Sequence, residues 1–574
     1  MAFAIHKVDI SDAYHDIAEY EIQENMADPI GFAATADPDT LYLHEAQREP
    51  DWSKFQTAML EEVQAHESNG HWELGDRKDI PDGMPVLPSV WSMKRKRRID
   101  TREVYKWKAR LTVHGGKQTQ GVNFRETYAP VVNWTSIRLY LILSVLNNFH
   151  TRQIDFVLAY QQAEVECEMY MEIPRGFEHA GSRKTHALKL IKNIYGTRQA
   201  GRVWNQHIHN GLLERGYVQS TVDHCVYYQG KTVFLLYVDD GIFAGPDADE
   251  IDAMIKSLQN DPACATQYNI TDEGTLDDYL GVKIKQNVDG RFTLTQPHLI
   301  QQILNDLGFK ENSKAKSTPA LASKILQRDI SGDTFQETWL YRSVVGKLNF
   351  LEKATRGDIS YPVHQCARFC SDPRASHGEA IKRIGRYLMG TKDKGVIIDP
   401  NRNSFECYVD ADFYGNWDQD TAEDDPTTVK SRTGYVIKYA GCPIVWQSKL
   451  QTEVAFSTTE AEYIALSTAL RDVISLMYLL EEAAAQGVPN VATVAQVHCR
   501  VFEDNSGALK LARVPKMRPR TKHLNVKYHH FREHVRKGLV TEHPISTLDQ
   551  QADLYTKPLA QEPFEKFRRA IFGW

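Results

Sequence analysis

The stretch KTVFLLYVDDGIFA, residues 231–244, decides the fold of the middle of the chain. Two apolar runs of strand length flank Asp239, Asp240 and Gly241. This pattern predicts a β hairpin whose tip carries two carboxylates out of the sheet. Taken alone, an acidic pair at a hairpin tip is as readily a solvated turn as a functional site.

A second acidic residue closes another predicted strand earlier in the chain. Asp155 ends the β-type segment Arg152-Gln153-Ile154-Asp155. Mg²⁺ prefers hard oxygen ligands, and carboxylates on two adjacent strands can supply them. Two such ions, about 4 Å apart, support nucleotidyl transfer by activating a hydroxyl and holding a triphosphate. Asp155 and Asp239 are therefore the predicted metal-binding pair.

The chain before residue 402 divides into a leader, a strand-rich part and a helical part. Residues 1–50 are acidic and show little periodicity, which predicts a poorly ordered leader. Apolar residues recur at helical spacing from Trp52 to Val63. Strands are predicted at 86–97 and 104–113, a helix at 136–148, and mostly helical structure over 291–400, with helices at 298–307, 341–354 and 375–389.

A new pattern begins after the turn Asp399-Pro400-Asn401. Strand-like runs at 405–410, 434–440 and 443–447 precede a long helix at 458–484 and a strand at 497–503. Strands followed by alternating helices and strands are typical of an independent α/β domain. The domain boundary is predicted near residue 402.

Four acidic residues of this C-terminal part stand at the ends of predicted elements: Asp410, Glu460, Asp504 and Asp553. Each alone is an ordinary surface acid, and Glu460 could simply favour a helix N-terminus. A cluster of four carboxylates makes chemical sense for hydrolysis of a phosphodiester with two Mg²⁺ ions.

Composition sets further limits on the class of protein. The chain has 574 residues, 42% of them hydrophobic and 25% charged, which predicts several globular domains. The net charge of -7 hides the basic run Lys94–Arg98, so nucleic-acid binding has to be judged locally. The eight scattered cysteines predict buried free thiols in a reducing compartment. We expect no signal peptide and no membrane partner, since the most apolar stretch, Leu139–Leu146, is too short to span a bilayer.

From Trp52 to the C-terminus the sequence resembles the copia-type LTR retrotransposon polyproteins. The blocks that carry the resemblance are Trp107–Leu111, Phe124–Val131, Gln153–Asp155 with Ala159-Tyr160, Tyr195–Ala200, Asp223–Tyr227 and the Tyr237–Asp240 turn. The resemblance implies a multidomain α/β (α+β) fold. A right-hand polymerase would have fingers and palm at 51–290 and a thumb or connection at 291–402, followed by a ribonuclease H-like α/β domain at 403–574.

The resemblance also implies roles for residues of the first site. Asp155 and Asp239 would bind the catalytic metals, with Asp240 as a supporting carboxylate. Lys108 and Arg110, which alternate on one strand, would grip the triphosphate, because point charges and guanidinium donors suit phosphate oxygens.

Two further residues complete that implied site. Tyr160, five residues after Asp155, would block a ribose 2′ hydroxyl, although a plain core tyrosine is the alternative. Gln199 would pack against the incoming base and the template. Gly201 departs from the family, which usually has proline there.

In the C-terminal part, Asp410, Glu460, Asp504 and Asp553 match the order Asp, Glu, Asp, Asp of the ribonuclease H fold. The neighbouring blocks Lys430–Tyr435, Ser457–Tyr463 and Arg520–His523 match copia-type domains. Asp412 and Glu462 lie two residues from the chosen ligands. We prefer Asp410 and Glu460 on the Tyr-Val-Asp and Thr-Glu patterns. Which histidine, His523 among them, assists hydrolysis stays open.

The function implied is a reverse transcriptase with ribonuclease H endonuclease activity in retrotransposition. Its cofactor would be Mg²⁺, two ions per active site, with Mn²⁺ as a substitute. Its partners would be an RNA template, a DNA primer strand, the RNA–DNA hybrid and deoxynucleoside triphosphates. The implied location is the cytoplasm, with virus-like particles and nuclear entry left open. The alternatives are a catalytically silent or domesticated nucleic-acid-binding relic and a structural particle component that packages RNA.

Overall fold

The computed structural model describes residues 39–97, 103–177, 182–310, 312–322, 324–401, 404–419, 423, 425–489, 491, 498–513 and 529–574. Predictions for the leader before residue 39, for Arg98, for the boundary at 402 and for the block Arg520–His523 lie outside these ranges.

The N-terminal part builds two small sheets. β1, β4 and β5 form a three-stranded sheet, and β2, β8, β7 and β3 form a four-stranded one. The elements as far as residue 190 are β1 (Thr40–Tyr42), α1 (Leu43–Ala46), α2 (Trp52–Ser68), β2 (Trp72–Asp76), β3 (Val86–Leu87), β4 (Ser89–Arg97), β5 (Val104–Val113), α3 (Trp134–Asn147), β6 (His150–Phe156), α4 (Ala159–Gln162), β7 (Tyr170–Met171) and β8 (His186–Leu190).

A six-stranded sheet, here called the central sheet, has the order β13-β6-β12-β11-β10-β9. It contains the predicted hairpin as β11 and β12, with β6 directly beside β12. The elements of this part are α5 (Ala200–Glu214), β9 (Val218–Gln219), β10 (Val226–Gln229), β11 (Thr232–Tyr237), β12 (Asp240–Gly245), α6 (Ala248–Asn260), β13 (Ile270–Gly274), β14 (Asp278–Tyr279), β15 (Val282–Gln286), β16 (Phe292–Thr295) and α7 (Pro297–Asp306).

The part predicted to be mostly helical is only partly so. Its later elements are α8 (Tyr341–Ala354), α9 (Ser360–Ala367), α10 (Ala375–Met389) and β17 (Val396–Ile398). The three predicted helices are confirmed as α7, α8 and α10. However, β16 and β17 pair with each other and complete a four-stranded sheet of order β14-β15-β16-β17, because this segment returns to the strands that precede it.

The C-terminal sheet has the order β20-β19-β18-β21-β22, antiparallel through β20, β19 and β18 and parallel from β18 to β22. The predicted α/β class is therefore confirmed here. The elements are β18 (Phe405–Asp412), β19 (Arg432–Tyr439), β20 (Cys442–Leu450), α11 (Thr458–Ala485), β21 (Cys499–Glu503), α12 (Ser506–Arg513), α13 (Arg532–Arg536), β22 (Val540–Pro544), α14 (Asp553–Thr556) and α15 (Gln561–Phe572).

The predicted leader ends earlier than residue 50. β1 pairs antiparallel with β4, so the first sheet begins at Thr40. Arg95 of β4 forms ion pairs with Glu49 at 2.8 Å and with Asp51 at 2.7 Å. Arg97 forms another with Asp39 at 2.7 Å. Asp39 and Glu49, two acidic residues of the predicted leader, are therefore partners of this basic strand.

Sequence analysis did not single out the long helix α11 as an apolar segment. An 18-residue window in it has a mean hydropathy of 1.4, and by length and composition alone the helix could cross a membrane. In the structure 72% of that window is buried. The helix lies against β18 and β19 and forms the core of the C-terminal part.

Sequence analysis predicts that the chain after residue 402 is an independent domain, with a core separate from that of the chain before it. The expectation of separate cores is wrong. One continuous apolar core includes residues from Val132 to Phe572. Arg138 of α3 is buried within it and donates to the carbonyl oxygens of Ile444 at 2.8 Å and Ala354 at 2.9 Å. Its guanidinium lies 4.0 Å from the ring centroid of Trp446. A buried cation needs such partners, so α3, α8 and β20 are fixed to one another.

Candidate active sites

The turn between β11 and β12 holds its backbone in an unusual conformation. Tyr237 and Asp240 are Cα partners, which leaves a two-residue loop of Val238 and Asp239. Val238 has φ 55°, in the left-handed region that β-branched residues avoid. Trp204 of α5 donates from its indole nitrogen to the Val238 carbonyl at 2.6 Å and holds the turn in place. Backbone strain of this kind is concentrated at functional sites.

The same turn is fixed to β6, which carries the third acidic residue. The Phe156 N–H donates to the Asp239 carbonyl at 2.7 Å. Asp240 is the Cα partner of Asp155 across the β6–β12 pair. Gly241 allows this close packing, since a Cβ there would lie 2.6 Å from the Phe234 ring. The structure therefore brings Asp155, Asp239 and Asp240 together, as the hairpin pattern predicts.

These three carboxylates are costly to ionise where they stand. Burial, with a contribution from the charge of Asp155, raises the pKa of Asp239 to about 6. Burial, Asp239 and Asp155 raise the pKa of Asp240 to about 7. Asp239 Oδ1 is buried and receives no hydrogen bond from the part of the chain that the structure describes. Such a charge is stabilised by a bound cation, which fits the oxygen chemistry of Mg²⁺.

Glu273 is a fourth carboxylate that the sequence analysis missed. Thr271 of β13 is the Cα partner of Asp155, and the register shifts between Asp272 and Gly274. Glu273 therefore lies at an irregularity beside the acidic residues, and its charge helps to raise the pKa of Asp155 and of Asp240. The sequence Asp272-Glu273-Gly274 does not by itself indicate that Glu273 lies near Asp155 and Asp240, because the position of Glu273 depends on the bulge.

Basic residues of β4 and β5 face the acidic residues. Burial, Arg110 and Lys96 lower the pKa of Lys108 to about 8. Lys108 and Lys96 in turn lower the pKa of Asp155, which burial raises. Lys96 and Lys106 are cross-strand partners, so like charges stand opposite each other, an arrangement that a bound anion stabilises. Lys108 and Arg110 lie where they were predicted, and Lys96 is a cation that the prediction missed.

Tyr160, Tyr195 and Arg110 lie against one another beside the hairpin turn. The ring centroids of Tyr160 and Tyr195 are 5.4 Å apart, and the Arg110 guanidinium lies 4.1 Å from the Tyr195 centroid. Burial and the charge of Asp239 raise the pKa of Tyr160. Its hydroxyl is buried and without a hydrogen-bond partner among the described residues. Tyr160 thus belongs to a buried apolar cluster and also lies near Asp239.

Gln199 is not placed to contact a substrate, and that prediction is wrong. Its side chain is buried, with relative exposure of 0%. Its Oε1 accepts from Gln118 Nε2 at 2.9 Å, and its Nε2 donates to the Asn123 carbonyl at 3.3 Å. Gln199 therefore fixes the loop before α3 from inside the protein.

The C-terminal sheet gathers a second, tighter group of carboxylates. Asp410 near the end of β18, Glu462 in α11 and Asp504 after β21 each place one oxygen within 4.8 Å of the others. Among the described residues, Asp155, Asp239 and Asp240 form no group as close as this. Burial raises the pKa of Glu462 far above its ordinary range, with Glu503, Asp410 and Asp504 adding to the effect.

Glu462, and not Glu460, belongs to this group. Ser457 Oγ accepts from the Glu460 N–H at 3.2 Å, and Glu460 Oε2 accepts from the Phe456 N–H at 2.9 Å. Ser457 is thus the N-cap of α11, and Glu460 binds back to the residue that precedes the cap. Glu462, two residues later, lies about 200° around the helix and faces the sheet. The Ser-x-x-Glu pattern could have identified the role of Glu460 from sequence.

Asp553 joins the group from α14. Lys557 Nζ donates to Asp553 Oδ1 at 2.7 Å and to Asp410 Oδ1 at 3.4 Å. Burial and the charge of Asp410 raise the pKa of Asp553 to about 6. Asp504 Oδ2 accepts from Thr547 Oγ1 at 3.0 Å. Asp410, Asp504 and Asp553 are therefore brought together as predicted.

Two other carboxylates lie near the group in different roles. Asp412, the open alternative to Asp410, is the Cα partner of Arg432, and burial raises its pKa to about 6. Glu503 is buried, and burial raises its pKa well above its usual range, with Asp504 and Asp410 contributing. Glu503 was missed because it alternates with Phe502 as an inward strand residue, a position where an apolar residue is expected.

Comparison with known proteins finds similarity along most of the chain. A family model described as reverse transcriptase (RNA-dependent DNA polymerase) matches residues 71–322. The retrovirus-related Pol polyprotein from transposon TNT 1-94 of Nicotiana tabacum is 33% identical over 540 residues, covering 92% of this chain and 38% of that protein. The corresponding protein from transposon RE1 of Arabidopsis thaliana is 31% identical over 547 residues, covering 94% of this chain and 35% of that protein.

The chain thus spans little more than a third of the length of these relatives. Among solved structures, the foamy viral protease-reverse transcriptase dRH in complex with double-stranded DNA aligns with a TM-score of 0.45 at 12% identity, covering 86% of this chain and 70% of that one. Residues 71–322 therefore match the reverse transcriptase family, and the chain is similar over most of its length to Pol polyproteins of copia-type retrotransposons.

Proposed function

We propose that the chain copies RNA, and then DNA, into DNA at the central sheet and hydrolyses the RNA strand of RNA–DNA hybrids at the C-terminal sheet, in retrotransposition. The observation that carries the first activity is the placement of Asp155, Asp239 and Asp240 on neighbouring strands opposite Lys108 and Arg110. The observation that carries the second is the close group of Asp410, Glu462 and Asp504.

At the central sheet, Asp155 and Asp239 would hold divalent ions, with Asp240 alongside. When bound, Mg²⁺ would activate the primer hydroxyl and stabilise the triphosphate, and Mn²⁺ would be the alternative ion. The fit rests on the buried, unpartnered Oδ1 of Asp239 and on an all-carboxylate donor set.

The chain's own cations would bind and orient the incoming deoxynucleoside triphosphate. Lys108, whose pKa is lowered to about 8 by burial, Arg110 and Lys96, would regain its full charge beside an anion. Arg110, whose guanidinium lies over the Tyr195 ring, would present its donors to the phosphates. Tyr160, adjacent to Tyr195, would exclude a ribose 2′ hydroxyl.

At the C-terminal sheet, Asp410, Glu462, Asp504 and Asp553 would hold the ions that hydrolyse the RNA strand. Burial makes these carboxylates poor anions on their own, so a divalent ion would be the natural source of compensating charge. The partners proposed are an RNA template, a DNA primer strand and their hybrid. We propose a cytoplasmic location, with virus-like particles as the site of synthesis.

Primer extension on an RNA template with Mg²⁺ tests the first activity. Asp239→Asn or Asp155→Asn should reduce synthesis by about a thousandfold, while binding of the template–primer is kept. Asp249→Asn, an exposed acid at the start of α6, is the matched control and should extend primers normally. Unmutated protein that binds hybrid but neither extends nor cleaves would favour the nucleic-acid-binding relic. Near-normal synthesis by both variants would refute the site.

A further inference from the structure

The carboxylate group of the C-terminal sheet already contains a cation, Lys557. The residue follows α14, and its Nζ donates to Asp553 Oδ1 at 2.7 Å and to Asp410 Oδ1 at 3.4 Å. The other oxygen of Asp410, Oδ2, accepts from Thr556 Oγ1. Both oxygens of Asp410 are therefore occupied by neighbours from one short segment of chain.

Asp410 also takes part in the close group with Glu462 and Asp504. Asp410 thus lies between two positions that a cation can occupy. One lies among Asp410, Glu462 and Asp504, and the other lies between Asp410 and Asp553. In the structure the second position is taken by the ammonium group of Lys557.

The local charge explains why an ammonium lies there. Burial opposes the charge on Lys557, but Asp410 and Asp553 raise its pKa. Its charge in turn lowers the pKa of both acids, which burial raises. The Lys557 side chain is 38% exposed, and its unbranched stem lets the ammonium leave without moving the backbone.

We propose that Lys557 is a resident cation that occupies the Asp410–Asp553 position of the nucleic-acid-free protein. A first divalent ion then binds at Asp410, Glu462 and Asp504, and a second binds at Asp410 and Asp553 only when Lys557 moves aside. This rests on the proposed hydrolytic function, and it makes Lys557 a positioning residue that delays loading of the second ion.

An ordinary structural salt bridge would behave differently. Removing the lysine leaves buried carboxylates uncompensated and lowers stability, both for a structural salt bridge and for a resident cation. Only the proposal of a resident cation predicts that a divalent ion takes the position vacated by the ammonium group and restores the lost stability.

The experiment uses the full chain carrying Asp155→Asn and Asp239→Asn, so that ion binding reports mainly on the C-terminal sheet. Mn²⁺ is titrated calorimetrically without nucleic acid into this parent and into versions with Lys557→Met or Lys557→Arg. The parent and Lys557→Arg should bind one ion tightly. Lys557→Met should bind two, with affinity for the second raised at least tenfold.

Thermal unfolding supplies a readout that does not depend on activity. Lys557→Met should melt below the parent in EDTA and gain more from Mn²⁺ than the parent does. Lys566→Met is the matched control, since Lys566 Nζ contacts Asp549 Oδ1 and the Leu548 carbonyl, each at 2.7 Å, at an exposed site. It should bind Mn²⁺ like the parent.

A measurement on the unmutated chain covers the case in which Lys557→Met does not fold. Reductive methylation of lysines, read by mass spectrometry, should label Lys557 several-fold faster in excess Mg²⁺ than in EDTA, while Lys566 does not change. Unchanged labelling, or one ion of unchanged affinity in Lys557→Met, would overturn the proposal for Lys557. Absence of tight ion binding and of hybrid cleavage in the unmutated chain would instead overturn the hydrolytic function itself.

Discussion

Replacing Glu462 by Gln and, separately, Glu460 by Ala distinguishes the two acidic residues at the start of α11. Glu462→Gln keeps the size of the side chain but removes a charge from the group with Asp410 and Asp504. Hydrolysis of the RNA strand should fall by about a hundredfold or more, since losing a metal-site residue costs at least as much as losing its supporting contacts.

The effects on stability should run in the opposite order. Burial, Glu503, Asp410 and Asp504 raise the pKa of Glu462 far above its ordinary range, so a neutral side chain relieves repulsion. The free energy of unfolding of Glu462→Gln should therefore be unchanged or higher. Glu460→Ala loses the hydrogen bond from the Phe456 N–H beside the helix start, which should cost about 1 kcal/mol while hydrolysis is kept.

The assay incubates a labelled RNA–DNA hybrid with Mg²⁺ and runs primer extension on the same preparation. Thermal unfolding of both variants gives the stability. Primer extension should stay near normal in both, because neither residue touches the central sheet. Normal cleavage by Glu462→Gln together with lost cleavage by Glu460→Ala would refute the reasoning and return the metal role to Glu460.

Three further outcomes follow from the geometry of the central sheet and the shared core. Tyr160→Val should raise ribonucleotide incorporation relative to the deoxy form, measured as a ratio of kcat/KM; an unchanged ratio would mean that Tyr160 is only a core residue. Lys108 loses its charge as pH rises through about 8, so the KM for deoxynucleoside triphosphates should increase several-fold from pH 7 to pH 9. Lys108→Arg, which stays charged, should flatten that rise, and an equal rise in both proteins would contradict the assignment. Arg138→Met should lower the free energy of unfolding by about 2–4 kcal/mol and reduce both activities together, whereas two separate unfolding transitions would contradict the shared core.

Much of the fold is local enough to be predicted from sequence. The hairpin of β11 and β12 was predicted because its strands are adjacent in the chain and its tip has a distinctive composition. Helices α8 and α10 were predicted as parts of a mostly helical region. Strand β17 was missed because its partner β16 lies about a hundred residues earlier, and no local pattern reports such pairing.

The sites were predictable in type more than in detail. The hairpin and strand pattern led to the first carboxylate group and the order of acidic residues led to the second, but periodicity around α11 was needed to choose between Glu460 and Glu462. Gln199 was assigned to a substrate because a motif gives no information about burial, and its partners Gln118 and Asn123 lie in another segment. Glu273 depends on a bulge, which a single sequence does not reveal.

The shared core has a consequence for how the two proposed activities are coupled. Arg138 bonds to carbonyl oxygens of α8 and β20, and Glu482 of α11 accepts from Ser220 Oγ at 2.5 Å and from the Thr221 N–H at 2.9 Å. These contacts join the helix that carries Glu462 to the segment that precedes β10 of the central sheet. Because packed contacts, and not a flexible linker, join the two sheets, the two acidic groups are held at a constant separation. A hybrid that spans both sites would therefore be cut at a fixed distance behind the growing DNA end, and Glu482→Ala should broaden that distance without removing either activity.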